Sequence, residues 1–178
     1  SRVSRGLGDV YKRQGLEFAL RALVGTDFKF VIAGDGELKF KLIKLANNLK
    51  LQNVTFLGEI TDKEKVCLLN LCRCFLFPSN RRSEAFGISL LEAAAFGKPM
   101  ISCEIGTGTS FINIHNKTGL VVKPNSPSEI HNAMKFIISN PEISNKMSLN
   151  ARKRYLEIFT AEKQAKEYNR IYRNILNI

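Results

Sequence analysis

The sequence predicts an α/β domain in which a parallel sheet carries helices on both faces. Two patterns support this fold class. Short apolar segments rich in β-branched and aromatic residues alternate with segments whose apolar residues recur every three or four positions, and polar or glycine-rich loops follow the apolar segments. The chain has 178 residues, of which 44% are hydrophobic and 12 are Phe, so it can bury one sizeable core.

Two strand–helix units come first. The segment "FKFVIAGDGEL" predicts a strand that runs into a Gly-Asp-Gly turn, and leucines at helical spacing follow it, at Leu38, Leu42, Leu45 and Leu49. The segment "VTFLGEI" predicts the next strand, and "TDKEKVCLLNLC" the next helix. Thr61 is its expected N-cap, with Glu64 as the capping-box partner three residues later.

The pattern then repeats and ends in helices. "CFLFPS" and "GISLLEAAAF" predict a third unit, "KPMISCEIGTGTSF" a fourth strand and a glycine-rich turn, and "TGLVV" a fifth strand. Ser126 or Ser128 is expected to cap the helix "SEIHNAMKFIIS". Extra helices are predicted over about 141–178. The last one has an apolar stripe that needs either this domain or an absent partner domain to pack on.

The first 14 residues show neither the two-residue period of a strand nor the 3.6-residue period of a helix. "SRVSRGLGDVYKRQ" mixes basic residues and glycines with scattered apolar residues, so we expect 1–14 to be a non-native or disordered leader and 15–178 to be the domain. The helix that begins near Gly15 then lacks the strand that should precede it.

Charge and composition narrow the class of partner. With 27 Lys and Arg against 16 Asp and Glu, the net charge of +11 favours an anionic partner. The basic residues are dispersed, and neither aromatic-interleaved strands nor recognition-helix spacing is found, so nucleic acid is not expected. The four cysteines lie in apolar segments without metal-ligand spacing, and no apolar run is long enough to span a bilayer. We therefore expect all four cysteines to be reduced core residues of a cytoplasmic protein. No metal site is expected, and a zinc site at the cysteines is the alternative interpretation.

Glycines and polar residues follow the first four predicted strands. They cluster in four loops, at 34–36, 58–60, 79–87 and 104–109. In a Rossmann-like sheet the carboxyl ends of parallel strands share one edge, and ligands bind in the crevice there. Four such loops together predict a binding crevice.

The loop 79–87 enters a helix at Phe86-Gly87-Ile88. The first amides of a helix have no intrahelical acceptor and can bind a phosphate, which Gly87 would allow to approach closely. A tight turn alone is the other interpretation of Gly87. Glu84 precedes this helix and Glu92 lies in its second turn, so we do not expect a catalytic dyad. Instead, one acid can accept hydrogen bonds from a sugar and the other from a ribose, which suits a nucleotide sugar.

The stretch "SEAFGISLLEAAAFGKPMIS" resembles the signature of the retaining glycosyltransferases of group 1 (family four), which have the GT-B fold. It shares their pattern of Glu, seven residues and Glu, followed by a small-residue helix and Gly-Lys-Pro. The resemblance covers roughly 15–178 and includes "VIAGDGEL", "VTFLGEI", "LFPS", "EIGTGTSFI" and "TGLVVKPNSP" in the family's order. It implies the C-terminal, donor-binding half of a two-domain enzyme.

The resemblance also implies a role for each site residue. Glu84 would be the catalytic residue that contacts the transferred sugar, and Glu92 would take the ribose hydroxyls. The other donor-binding positions would hold the diphosphate (Phe86, Gly87 and Ile88) and line the nucleobase pocket (Gly34, Gly36, Gly58 and Ile60). The reaction would proceed on one face of the sugar without a metal, with the leaving diphosphate helping to deprotonate the acceptor.

The implied substrates are a GDP- or UDP-hexose and a saccharide or lipid-linked acceptor. The acceptor-binding N-terminal domain would be missing, and the complete enzyme would work in the cytoplasm with peripheral contact at the inner membrane face. The sequence departs from the family just before Gly15, where a basic phosphate clamp is expected. Lys12 or Arg13 is the available substitute there. A non-catalytic nucleotide-binding or interaction domain is the alternative function, and we expect the isolated chain not to transfer sugar.

Overall fold

A computed structural model describes residues 15–176. Within this range five strands alternate with helices: β1 (Phe30–Ala33), β2 (Val54–Gly58), β3 (Phe75–Phe77), β4 (Met100–Cys103) and β5 (Gly119–Val122). The helices are α1 (Leu16–Ala22), α2 (Lys39–Asn48), α3 (Asp62–Leu71), α4 (Ile88–Ala95), α5 (Thr109–Ile112), α6 (Pro127–Ser139), α7 (Pro141–Arg154) and α8 (Ala161–Leu176). A π-helical turn (Tyr155–Phe159) lies between α7 and α8. The predicted leader, 1–14, is outside the described residues.

Every strand pair is parallel, which confirms the predicted fold class. The strands form two hydrogen-bonded groups, β1–β2 and β3–β4–β5. Phe30 pairs with Val54 in the first group, while Met100 pairs with Phe75 and Gly119 in the second. All carboxyl ends within a group therefore lie along one edge.

Side chains of alternate residues build two apolar cores, one on each face of the sheet. In β4, Met100 belongs to one core and Ile101 to the other. In β3, Phe75 and Phe77 pack against the Met100 core, and Leu76 packs against the Ile101 core. Since successive strand residues point to opposite faces, helices cover both sides of the sheet. The Ile101 core includes residues of α1, α2 and α6, and the Met100 core includes residues of α3, α4 and α7.

The N-termini of α3 and α6 match the sequence predictions. The Thr61 hydroxyl accepts a hydrogen bond from Glu64 N at 3.3 Å, and Thr61 N donates to Glu64 Oε2 at 2.7 Å, which completes the capping box. Ser126 caps α6 by accepting from Glu129 N. Lys98 donates to the carbonyls of Asn70, at 2.7 Å, and Cys72, at 3.0 Å, and so stabilises the C-terminal end of α3.

The last helix contacts the domain mainly through the π-helical turn. None of its described residues is buried, and its apolar side chains are exposed: Tyr168, Ile171, Tyr172, Ile175 and Leu176. This apolar stripe therefore does not pack on the described part of the domain. No helix within residues 15–176 combines the length and the apolar character that crossing a bilayer requires.

Candidate functional site

Two pairs of loops meet at the carboxyl ends of the strands. Gly34 N, after β1, donates a hydrogen bond to Gly58 O, at the end of β2, over 2.6 Å. Gly108 N, in the loop after β4, donates to Ala85 O, in the loop after β3, over 2.9 Å. An ion pair between α3 and α4 joins these two regions, since Lys65 Nζ lies 2.8 Å from Glu92 Oε1. The predicted loops thus form one connected edge.

The loop after β1 is held by its own side chains. Asp35 accepts hydrogen bonds from Lys39 Nζ at 2.9 Å and from Gly36 N at 2.7 Å. The bond from Lys39, with that from the Gly36 amide, lowers the pKa of the Asp35 carboxyl. Gly58 has a φ of +74°, a left-handed backbone conformation that favours glycine. A Cβ there would also lie only 3.0 Å from Lys39 Nζ, so a larger residue would crowd the lysine. Ile60, two residues further, is half-buried.

Gly87 is the N-cap of α4, with a φ of +91° that favours glycine. The amides of Ile88 and Ser89 have no acceptor among residues 15–176, and Ile88 is 71% exposed. This helix entrance can therefore donate hydrogen bonds to an anion from solvent.

The reason for glycine at position 87 differs from the one we expected. A Cβ there would lie 3.1 Å from Leu90 Cδ1, 3.4 Å from Thr109 Cγ2 and 3.5 Å from Phe77 Cε1. The space beside its Cα is therefore filled by protein atoms rather than left for a phosphate. Packing and backbone conformation require this glycine, and the anion-binding prediction depends on the amides after it.

Phe86 contributes its ring to the core. The ring packs edge-to-face on Phe159, with ring centroids 6.3 Å apart. A Cβ added at Gly108 would lie 2.6 Å from Phe86 Cδ2 and 3.0 Å from Ala85 O. The Phe86 ring and Gly108 thus position the helix entrance.

The two acids lie in different surroundings. Glu84 is half-buried at the end of a turn closed by Glu84 N and Arg81 O, 3.1 Å apart, and its carboxylate has no ion pair within residues 15–176. Glu92 instead accepts from Lys65, which also lies 3.2 Å from Asp62 Oδ1. The hydrogen bond to Glu92 is the main cause of the raised pKa of Lys65.

Lys65 was missed by sequence reasoning. Its place in the first turn of α3 follows from the capping box, but its partner lies 27 positions away and no local pattern indicates that contact. Within the described range, Glu92 Oε2 has no hydrogen bond or ion pair.

The described part of the chain has no cluster of three or more His, Cys, Asp or Glu side chains suited to a metal ion. The cysteines are free thiols. Burial raises the pKa of Cys74 to about 12 and that of Cys103 to about 11, so both stay protonated near neutral pH. Cys67 is exposed, so the core position expected for it is wrong.

The fold is a doubly wound α/β domain, and the helix entrance whose amides lack acceptors lies at the edge where such folds bind their ligands. The family model for group 1 glycosyl transferases matches residues 7–154. The D-rhamnosyltransferase WbpZ of Pseudomonas aeruginosa is 53% identical over 148 residues, covering 83% of this chain and 39% of that protein. The O-antigen chain mannosyltransferase C of Escherichia coli is 43% identical over 163 residues, covering 92% of this chain and 44% of that protein.

Solved structures share the fold. Sucrose-phosphate synthase from Thermosynechococcus elongatus matches with a TM-score of 0.83 at 24% identity, over 93% of this chain and 43% of its own. HepE from Anabaena, in complex with UDP-glucose, matches with a TM-score of 0.77 at 22% identity. The match covers 100% of this chain and 47% of the HepE chain.

This chain belongs to the group 1 glycosyltransferases and has the fold of one half of a GT-B enzyme. It spans about two fifths of the length of the curated relatives named above. Lys12 and Arg13, which could replace the family's basic clamp, lie outside the described residues, and their role stays a prediction.

Proposed function

We propose that this domain binds the sugar donor in a retaining hexosyltransferase that uses a GDP- or UDP-sugar. The observation that carries the proposal is the entrance of α4. Amides without an acceptor in the described residues lie there between Glu84, which has no ion pair within 15–176, and Glu92, which pairs with Lys65. The names of two relatives, a D-rhamnosyltransferase and a mannosyltransferase, agree with a hexose or deoxyhexose donor. The UDP-glucose complex of a protein with the same fold is consistent with a nucleotide-sugar ligand.

Each site residue then has a role. The amides at Phe86, Gly87 and Ile88 bind the diphosphate, with the α4 dipole contributing about 0.3–1 kcal/mol. Glu92 accepts from the ribose hydroxyls through the oxygen that Lys65 leaves free. The nucleobase lies against the paired loops of the first strand group, lined by Gly34, Gly36, Gly58 and Ile60. Glu84 contacts the hexose as the catalytic residue.

Catalysis in this proposal depends on position and charge. The helix entrance stabilises the charge that develops on the departing diphosphate, and Glu84 fixes the hexose so that the acceptor attacks from the face the diphosphate leaves. The diphosphate then takes the acceptor's proton. No residue in this scheme holds a metal ion.

The acceptor half belongs to a further domain in this proposal. The chain covers 39% and 44% of two relatives, which leaves room in such proteins for a domain that binds a saccharide or lipid-linked acceptor. The complete enzyme would act in the cytoplasm, in peripheral contact with the inner membrane face.

Calorimetry on the chain tests donor binding. We expect weak binding of UDP or GDP and weaker binding of ADP, and no sugar transfer by the chain alone. Binding of none of the three nucleotides at millimolar concentration, or robust turnover without a second domain, would contradict the proposal. Nucleotide binding without transfer in a completed enzyme would favour the non-catalytic alternative.

Replacing Gly108 with Ala should weaken nucleotide binding about tenfold, or about 1.4 kcal/mol. The φ of Gly108 is −61°, so the backbone accepts alanine, but the new methyl group would displace Phe86 and Ala85 beside the helix entrance. Titration with the preferred nucleotide measures the effect. Gly25→Ala is the control, because nothing lies within 4 Å of a Cβ there. Equal affinity in Gly108→Ala and the parent would show that the entrance does not hold the phosphates.

Replacing Lys65 with Met should reduce nucleotide affinity about three- to tenfold and change stability by less than about 1 kcal/mol, since both partners of the ion pair are 38% exposed. The variant leaves Glu92 free to turn away from the ribose. The parent should therefore lose more affinity than the variant when the ribose hydroxyls are removed from the nucleotide. Lys63→Met is the control, because Lys63 lies on the same helix without an ion pair in the described range. If the parent and the variant lost the same affinity when the ribose hydroxyls are removed, Lys65 would have no role in ribose recognition.

A further inference from the structure

Positive charge is scarce in the four loops that follow β1, β2, β3 and β4. Together these loops contain four acids and two cations: Asp35, Glu59, Glu84 and Glu104 against Arg81 and Arg82. A diphosphate brought to this edge is repelled by the acids unless positive charge compensates them. The two arginines are the cations that the loops themselves offer to such a ligand.

Arg82 reaches from the loop after β3 to the loop after β4. A Cβ built on Gly106 would lie 3.9 Å from Arg82 Nε and 4.0 Å from Arg82 Nη2. The same two loops are joined by Gly108 N and Ala85 O, 2.9 Å apart, beside the entrance of α4. Gly106 is two residues from Gly108, a distance of at most about 7 Å. The Arg82 guanidinium therefore lies within reach of a sugar diphosphate that is bound at the entrance.

The Arg82 side chain has no structural partner in the described residues. It is exposed and forms no hydrogen bond or ion pair within 15–176. The acid of the loop that it contacts, Glu104, instead accepts hydrogen bonds from Gly106 N at 2.9 Å and from Ser110 Oγ at 3.3 Å. The lysines beside the loops differ, because Lys39 and Lys65 are both paired with acids.

We propose that Arg82 is a substrate-binding residue whose guanidinium donates hydrogen bonds to a phosphate group in this crevice. A guanidinium presents its N–H groups as a planar fork that matches two phosphate oxygens, and such charge-assisted bonds are stronger than neutral ones. The inference rests on the proposed function, since it takes a diphosphate to be bound at the α4 entrance. The phosphate belongs either to the sugar donor or to a lipid-linked acceptor, and the test separates these two sources.

The test compares Arg82→Gln with the full chain and with a matched control, Arg81→Gln. Arg81 belongs to the same loop and is also exposed, but only its carbonyl has a contact that bears on the site, with Glu84 N. Calorimetry with GDP, UDP and inorganic pyrophosphate should show about tenfold weaker binding of the preferred nucleotide and of pyrophosphate in Arg82→Gln. Arg81→Gln should change both affinities by less than about twofold. Both variants should melt with the parent, because neither side chain is buried.

Added salt gives a second measurement on the same proteins. Salt screens the attraction between a guanidinium and a phosphate. Nucleotide binding by the parent and by Arg81→Gln should therefore weaken more steeply with salt than binding by Arg82→Gln. Equal salt dependence in all three proteins would overturn the proposal for the donor phosphate.

Geranyl diphosphate, a short and soluble lipid diphosphate, tests the acceptor as the source. It is titrated into each protein in the presence of the preferred nucleotide, so that the α4 entrance is already occupied. Weaker binding of geranyl diphosphate by Arg82→Gln, with nucleotide affinity unchanged, would assign the acceptor's phosphate to Arg82. Weaker nucleotide binding alone would assign the donor's phosphate.

Two results would overturn the proposal while the proposed function stands. One is a parent that binds nucleotide together with an Arg82→Gln variant that binds nucleotide, pyrophosphate and geranyl diphosphate as the parent does. The other is an equal loss in Arg81→Gln, which would show that the charge of the loop matters rather than the position of Arg82. If instead the parent bound pyrophosphate through Arg82 but bound no nucleotide, the proposed function would fail and the phosphate contact would stand. A parent that bound none of the probes at millimolar concentration would overturn both.

Discussion

A complete enzyme carrying Glu84→Gln is expected to transfer sugar about 10²–10³-fold more slowly, with nucleotide affinity changed by less than about threefold. Glutamine keeps the size of the side chain and removes its charge. The Glu84 carboxylate has no ion pair among residues 15–176, so its loss leaves no partner unsatisfied there. The effect should therefore fall on the reaction rather than on the fold.

The measurement needs both halves of an enzyme. Residues 15–178 can replace the matching part of the Pseudomonas relative, which is 53% identical to this chain. Transfer rates are then compared with nucleotide affinities for the active chimera and its variants. Glu142→Gln, an exposed change in the first turn of α7, should leave both unchanged. An unchanged transfer rate in Glu84→Gln would refute the catalytic role of Glu84.

Gly119→Ala is expected to cost the fold about 3 kcal/mol or more, a large part of the stability of a typical domain. A Cβ at Gly119 would lie 1.9 Å from Met100 O, 2.6 Å from Met100 N and 2.7 Å from Asn113 Oδ1. The first two are backbone atoms of the paired strand β4, and they cannot move without breaking the ladder. Asn113 is buried and donates to Ser102 Oγ at 2.9 Å and to Leu120 O at 3.0 Å, so it is also fixed.

Thermal unfolding measures this effect, and the melting temperature should fall by about 10 °C. Gly25→Ala isolates the cost of the backbone conformation, because Gly25 has a φ of +77° and open space beside it. That variant should lose only about 1 kcal/mol. If the two variants melted at the same temperature, β4 and β5 would not be packed as closely as the structure has them.

Much of the fold could be predicted because its signals are local. The strands and the longer helices were expected in the order in which they occur, whereas the four-residue helix α5 lies where only a glycine-rich turn was predicted. The capping box of α3 depends on two residues three positions apart. The expected meeting of the loops also follows from a general property of parallel sheets, whose carboxyl ends share an edge. Gly34 and Gly58 are directly hydrogen-bonded there, as are Gly108 and Ala85.

Other features depend on residues far apart in the chain. Lys98 caps α3, although that helix precedes it by more than 25 positions. The Phe86 ring packs on Phe159, and Lys65 pairs with Glu92, without any spacing that indicates either contact.

The sequence by itself determined the class of the domain, the order of its elements, the family and the loops that form its crevice. These properties follow from hydrophobic periodicity, turn residues and a short motif, all of which act over a few positions. Only the tertiary structure decided that Gly87 serves packing and that Lys65 holds Glu92. The reason is that a contact between distant residues depends on how whole helices and strands pack, and no local spacing of residues in the sequence indicates that packing.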